Sequence, residues 1–217
     1  MIRVIIADDH QILREGLKQL LLAARDIEVV GEARDGHEAL ERVRLLEADV
    51  LLLDMSMPGK SGMELIRQVK AERPKVRILV LSMHEEHQYA VRAIRAGASG
   101  YLTKESASGQ LVAAIRKVAA GGAFISAEVA EYLAQDAMPH ASERPLHSTL
   151  SDREYQVFMR LVGGRGVSEI AAELHLSGKT ISTHKARLME KLNVANNAEL
   201  IHYALKHRLG DDPNAPS

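Results

Sequence analysis

Two apolar rhythms alternate along residues 1–122. The first is short and mostly continuous, with β-branched residues prominent: Val4–Ala7, Glu28–Glu32, Val50–Leu53, Arg77–Leu81 and Ser99–Leu102. The second spaces apolar residues by threes and fours, as one face of a helix does. It runs through Ile12, Leu13, Leu17, Leu20 and Leu21, then Ala39, Leu40, Val43 and Leu46, then Leu65, Ile66 and Val69. Val91 and Ile94 continue it, followed by Leu111, Val112, Ile115 and Val118. Strands alternating with helices predict right-handed crossovers and a parallel sheet covered on both faces. The runs Val50-Leu51-Leu52-Leu53 and Ile78-Leu79-Val80-Leu81 lack polar alternation, as strands buried on both sides should.

Beyond Gly121-Gly122 the rhythm changes. Ser126–Gln135 reads as a short helix capped by Ser126, and 136–149 carries Pro, Ser and His without periodicity, as a linker does. Four helical segments and no strand follow. Ser151-Asp152-Arg153-Glu154 is a Ser-x-x-Glu capping box opening the first, Ser168 and Ser177 are expected to cap the next two, and Asn196 opens the last. The expected organisation is an α/β domain over 1–122, a short helix and linker over 123–148, a smaller all-α domain over 149–210, and a frayed tail over 211–217.

Composition adds constraints. Hydrophobic residues make up 46% and charged residues 26%, the balance of a globular chain rather than a disordered one. No apolar run approaches the roughly 20 residues that span a bilayer. With no Cys there is no disulfide framework, and a cytoplasmic address is expected. Net charge is −1, unevenly spread: residues 1–135 hold 18 Lys and Arg against 19 Asp and Glu, whereas 149–208 hold 9 against 6. The basic excess near the C-terminus hints at a polyanionic partner.

In an open parallel sheet, ligands bind beyond the C-terminal strand ends. The first strand is followed there by Asp8-Asp9, the third by Asp54, the fourth by Ser82 and the fifth by Lys104. Singly, each is an ordinary turn or surface residue. Together they are three carboxylates, a hydroxyl and an ammonium on one edge. Clustered carboxylates raise one another's pKa unless a cation joins them, and Mg²⁺ suits a few carboxylates plus phosphate oxygens. Asp54, centrally placed, is the candidate nucleophile. His10 reads as an exposed residue at a loop-to-helix junction rather than a metal ligand, and His84, Glu85, Glu86 and His87 as the solvated start of a helix.

On Ile5-Ile6-Ala7-Asp8-Asp9-His10, Leu53-Asp54-Met55-Ser56-Met57-Pro58-Gly59, Leu81-Ser82-Met83 and Gly97-Ala98-Ser99-Gly100-Tyr101-Leu102-Thr103-Lys104, the chain resembles the CheY-like receiver of two-component response regulators, a flavodoxin-like, doubly wound five-stranded parallel sheet. The resemblance implies that Asp54 is the phosphoacceptor. It implies that Asp8, Asp9, Asp54 and the Ser56 carbonyl hold Mg²⁺, that Ser82 and Lys104 contact the phosphoryl group, and that Tyr101 is the switch aromatic. Two departures stand out: Glu105 follows the lysine where many receivers have Pro, and Ser82-Met83 replaces a common Thr-Ala.

In the last domain, Glu169–Leu174, His175-Leu176 and Ser177–Ile181 read as helix, tight turn and helix, with His175 at a turn position that tolerates positive φ. Ile181, Leu188 and Leu192 form one stripe. Lys179, Ser182, Thr183, Ala186, Arg187 and Glu190 lie opposite, and short polar side chains flanked by cations suit a helix in the major groove. The bland alternative is a solvated helix of a protein-interaction domain. Leu150–Val157, Glu169-Ile170-Ala171, Leu176–His184 and Lys191-Leu192-Asn193-Val194 are similar to the LuxR-type helix-turn-helix output domain. Joined to a receiver, this resembles the NarL/FixJ type. Lys179, Thr180, Ser182, Thr183, Ala186 and Arg187 are the implied DNA-contacting residues, although relatives often carry Lys or Arg where Ser182 and Ala186 stand.

The resemblance implies a transcription regulator rather than an enzyme. A sensor histidine kinase would phosphorylate Asp54, and the protein would bind double-stranded promoter DNA as a homodimer when phosphorylated. A Mg²⁺-dependent phosphatase would need a second acidic residue two positions after its nucleophile, where this chain has Ser56.

Overall fold

The computed structural model describes residues 1–57, 62–82, 87–137, 145–207 and 209. Pro58 and Gly59, Met83, the His84–Glu86 stretch, linker residues 138–144 and the tail expected over 211–217 lie outside them. The described residues divide into two compact units, Met1–Met138 and Pro139–Ser217.

The first unit runs β1 (Ile2–Ala7), α1 (Gln11–Leu22), β2 (Ile27–Ala33), α2 (Gly36–Leu45), β3 (Val50–Asp54), α3 (Gly62–Glu72), β4 (Arg77–Ser82), α4 (His87–Ala96), β5 (Gly100–Thr103), α5 (Lys104–Ala119) and α6 (Ala127–Ala137). The five strands form one parallel sheet, as the alternating rhythms predict, and their order is β2-β1-β3-β4-β5. Val4, Ile6, Leu52, Leu79 and Leu81 are fully or almost fully buried in one core with Leu17 and Leu21 of α1 and Leu111, Ile115 and Val118 of α5. Ile5, Leu51, Leu53, Ile78 and Val80 are buried too and, by strand alternation, serve the opposite face. Both faces of β3 are therefore covered, which is why its apolar run does not alternate.

The chain past α5 does not leave the sheet at once. Phe124 bridges to Gly100: the Phe124 amide donates to the Ser99 carbonyl at 3.1 Å, and the Tyr101 amide donates to the Phe124 carbonyl at 2.8 Å. Gly100 is required there, because a Cβ would stand 2.9 Å from the Phe124 carbonyl oxygen and 2.9 Å from Leu79 Cδ1. Ser126 then accepts a hydrogen bond from the Val129 amide at 3.3 Å, and α6 packs on α4.

The second unit runs from a single 3-10 turn (Leu146–Thr149) through α7 (Asp152–Val162), α8 (Val167–Glu173), α9 (Gly178–Leu192) and α10 (Asn197–Lys206). Tyr155, Phe158, Ile170, Ile181, Leu188, Leu200 and Ala204 form its buried interior. The Ser151–Glu154 capping box is present, Ser177 accepts from the Thr180 amide, and Asn196 accepts from the Glu199 amide. The expectation for Ser168 fails. The cap of α8 is Gly166, whose amide donates to the Glu169 carboxylate at 2.7 Å, so Ser168 lies inside the first turn. The 3-10 turn also falls within the stretch read as linker: His147 is buried, and its amide donates to the Tyr203 hydroxyl at 3.1 Å.

Candidate functional site

Strand register assembles the acidic site. Ala7 pairs with Leu53, so Asp8 and Asp54 emerge side by side where the strand order reverses around β1 and β3. Asp54 in turn pairs with Leu81, so Ser82 ends its strand one step further on, opposite Thr103, and Lys104 follows. The side chains of Asp8 and Asp54 are almost fully buried, as is Ser82, while Asp9 is partly exposed.

Lys104 spans the pocket. Its Nζ donates to Asp8 Oδ2 at 2.8 Å and pairs with Asp54 Oδ2 at 2.9 Å, the second contact lacking hydrogen-bond alignment. Backbone amides orient the carboxylates: Ser56 donates to Asp54 Oδ1 at 3.0 Å and His10 to Asp8 Oδ1 at 2.8 Å. Burial pushes the Asp54 carboxyl above its ordinary range against the opposing pull of Lys104, and Asp8 adds to the rise. For Lys104, burial alone would lower the pKa, but Asp54 and Asp8 more than reverse it and hold the ammonium charged. The pocket thus confines two buried acids around one cation, leaving negative charge that a second cation would offset.

Two carboxylate oxygens, Asp9 Oδ1 and Asp54 Oδ2, are buried without a hydrogen-bond donor. One ligand atom from each of Asp8, Asp9, His10 and Asp54 lies within 4.8 Å of the others, so the cluster could hold a metal ion. Buried, unsatisfied, all-oxygen carboxylate groups fit a hard divalent cation. Ser56 is exposed beside them. The Tyr101 side chain, 8% exposed, lines a cleft of about 400 Å³ with Ala90, Thr103, Ser106, Phe124 and Val129.

One contributor escaped the sequence reading. Arg14 donates to the Asp8 carbonyl at 2.7 Å and pairs with Glu32 at 3.4 Å, fastening α1 to β1 and β2 beside the site. Nothing local marks it, because Glu32 is 18 residues away. His10 is at once what was expected and more. It is exposed at the start of α1, yet its Nδ1 lies 3.0 Å from Asp9 Oδ1.

In the second unit, α8, a turn and α9 form the helix-turn-helix. His175 takes the turn with φ 52°, in the left-handed region. Ile181, Leu188 and Leu192 are buried against α7 and α8, and this fixes the outward face. Lys179, Ser182, Thr183, Ala186 and Arg187 are all exposed on that face. Thr180 is half-buried, its hydroxyl 2.8 Å from Ser177 Oγ. Ser182 and Thr183 donate their hydroxyls to the Gly178 and Lys179 carbonyls at 2.9 and 3.0 Å, so toward solvent they offer acceptor oxygens.

An acidic, lysine-bridged strand edge in one unit and a helix-turn-helix in the other define a receiver joined to a nucleic-acid-binding output domain. Residues 4–116 match the response regulator receiver domain, and residues 148–204 match the LuxR family of bacterial regulatory proteins. The chain belongs to the two-component response regulators of the NarL/FixJ type, with a LuxR-type DNA-binding domain. It is 38% identical over 210 residues to the response regulator UvrY of Escherichia coli K12, covering 96% of each chain. It is 36% identical over 212 residues to the response regulator GacA of Pseudomonas aeruginosa PAO1, covering 97% of this chain and 99% of that one. Among solved structures, RcsB from Salmonella enterica serovar Typhimurium, bound to promoter rprA in the presence of the phosphomimetic BeF₃⁻, aligns with a TM-score of 0.62. That alignment has 30% identity and covers 93% of this chain and 97% of RcsB. No described helix is long and apolar enough to cross a membrane.

Proposed function

We propose that this response regulator is switched by phosphorylation of Asp54 and that the switch controls binding of α9 to promoter DNA. The observation that carries the reading is the Lys104 ammonium held between Asp8 and Asp54, 2.8 and 2.9 Å from their oxygens. That geometry stations a fixed positive charge where an incoming phosphoryl group must be neutralised. An Asp54 oxygen forms the new bond to phosphorus as the donor's own bond to phosphorus breaks, the donor being a sensor histidine kinase. Ser82 engages the phosphoryl oxygens. Asp8, Asp9, Asp54 and the Ser56 carbonyl are the groups that would hold Mg²⁺, which supplies charge neutralisation on the phosphoryl oxygens.

Phosphorylation turns the Asp54 carboxylate into an acyl phosphate and brings in acceptor oxygens that draw on Lys104 and Ser82. Moving a two-state equilibrium from 1:99 to 99:1 needs about 5.5 kcal/mol. A few charge-assisted hydrogen bonds at about 1.5–3 kcal/mol each supply that. Tyr101, on the strand that leads into Lys104, is the readout, and the active form binds two DNA half-sites as a homodimer. Lys179, Thr180, Ser182, Thr183, Ala186 and Arg187 make the DNA contacts. The chain works in the cytoplasm as a regulator and turns over no substrate of its own. The domains run 1–122 and 149–210, with 123–148 between them.

Incubation of the full chain with a small acyl phosphate and Mg²⁺ tests this. A single phosphoryl mass on Asp54, labile to base and to hydroxylamine and lost in Asp54→Ala, is expected, with salt-sensitive promoter binding that tightens on phosphorylation. A clean protein with no adduct would overturn it.

A further inference from the structure

The geometry points to a second metal chemistry in the same pocket: His10 gives the acidic cluster a nitrogen ligand and lets it take a divalent first-row transition ion. This inference rests on the assignment above insofar as the acids are shared, but it concerns a residue that assignment leaves unused.

Neighbouring ligands on an ion with bonds of about 2.1 Å stand about 3 Å apart when at right angles, and somewhat further apart around a tetrahedron. His10 Nδ1 lies 3.0 Å from Asp9 Oδ1 and 3.4 Å from Asp8 Oδ1, both within that range. Asp54 contributes a side chain that is fully buried, with an Oδ2 that meets the Lys104 ammonium at 2.9 Å without hydrogen-bond alignment, and Asp9 Oδ1 is buried without a hydrogen-bond donor. The four residues can each present one ligand atom within 4.8 Å of the rest. Three oxygens and one imidazole nitrogen form a mixed set. Mg²⁺ gains little from the imidazole, whereas Co²⁺, Ni²⁺ and Zn²⁺ gain much.

His10 is also free to serve. Its side chain is 67% exposed, it starts α1 without capping that helix through its side chain, and no core packing holds the ring. An imidazolium resting against two acids would show the same contacts. The two arrangements part company on metal selectivity, since a cation beside the pocket opposes every divalent ion alike, whereas a nitrogen ligand favours only some.

The test uses full-length protein and the metals themselves. Calorimetric titrations with Co²⁺, Zn²⁺ and Mg²⁺ are run on the natural sequence, on His10→Ala and on His10→Gln, with Co²⁺ absorption bands as a second readout. Both variants are expected to lose at least about tenfold in Co²⁺ and Zn²⁺ affinity, to keep Mg²⁺ affinity within about twofold, and to alter the Co²⁺ bands. Co²⁺ and Zn²⁺ affinities that survive both substitutions would overturn the inference, as would losses equal for all three ions. If Mg²⁺ binds none of the proteins while Co²⁺ binding still depends on His10, this inference stands and the Mg²⁺ assignment above fails.

Discussion

Lys104 meets Asp8 at 2.8 Å across 96 residues of chain, and the contact exists because β1 and β5 end on the same edge of one parallel sheet. The two residues flank the central acid, Asp54, so any change in its charge is felt by both.

Removing that central charge should stabilise the fold. Burial raises the Asp54 pKa, so its ionisation opposes folding. The penalty is absent below the unfolded-state pKa, grows as pH rises through the raised folded value, and is complete above it. Asp54→Asn keeps an acceptor for the Ser56 amide and leaves Lys104 paired with Asp8. In metal-free buffer at neutral pH the variant is expected to be about 1 kcal/mol more stable, with the gap closing in acid. Urea unfolding at two pH values checks this, and a variant less stable at neutral pH contradicts it.

The second unit should respond to acid in the opposite sense. Burial would raise the Glu154 carboxyl, but the Lys191 ammonium at 2.6 Å and the Ser151 amide outweigh it and hold its pKa below the usual range. The stability it contributes is present above the unfolded-state carboxylate pKa and is lost as pH falls through the lowered folded value. Lys191→Met should cost roughly 1–3 kcal/mol at neutral pH. Thermal melts of the natural sequence and the variant should converge as the pH drops through the carboxylate range.

At the helix-turn-helix corner, His175 carries φ 52°. His175→Gly removes the left-handed strain and should leave stability equal or slightly higher. His175→Val forces a β-branched residue into that region and should cost about 1–2 kcal/mol. Equal melting temperatures for the two variants would contradict the account.

Much of this was legible along the chain, and the reasons are physical. Apolar runs such as Val50–Leu53 can only be buried, and strand ends in a parallel sheet must share an edge, so Asp8, Asp54, Ser82 and Lys104 converge by topology alone. Capping by Ser151, Ser177 and Asn196 is local chemistry and was readable. The cap of α8 was not, because Gly166 has no side chain to announce itself and the work is done by Glu169 reaching back. His147 was read as linker because its anchor, the Tyr203 hydroxyl, is 56 residues away. Arg14 acts through a contact with Glu32 on the neighbouring strand that no periodicity encodes.

On DNA, the face of α9 should separate position from readout. Lys179, exposed in the first turn, is expected to act on phosphates: Lys179→Ala should weaken all sequences about equally and reduce the salt slope by about 1. Arg187→Ala should cost roughly 1–3 kcal/mol on the preferred site and much less on random duplex. Binding measured over a salt series on both duplexes decides between these behaviours.

The clasp at Phe124 protects the chain from its own sheet. β5 is a terminal strand, and exposed backbone donors and acceptors on such a strand invite pairing with another molecule. By occupying the Ser99 carbonyl and the Tyr101 amide, Phe124 turns that margin inward. Two backbone groups on the margin of β5 are thereby satisfied within the chain, without a proline or a lysine on the strand.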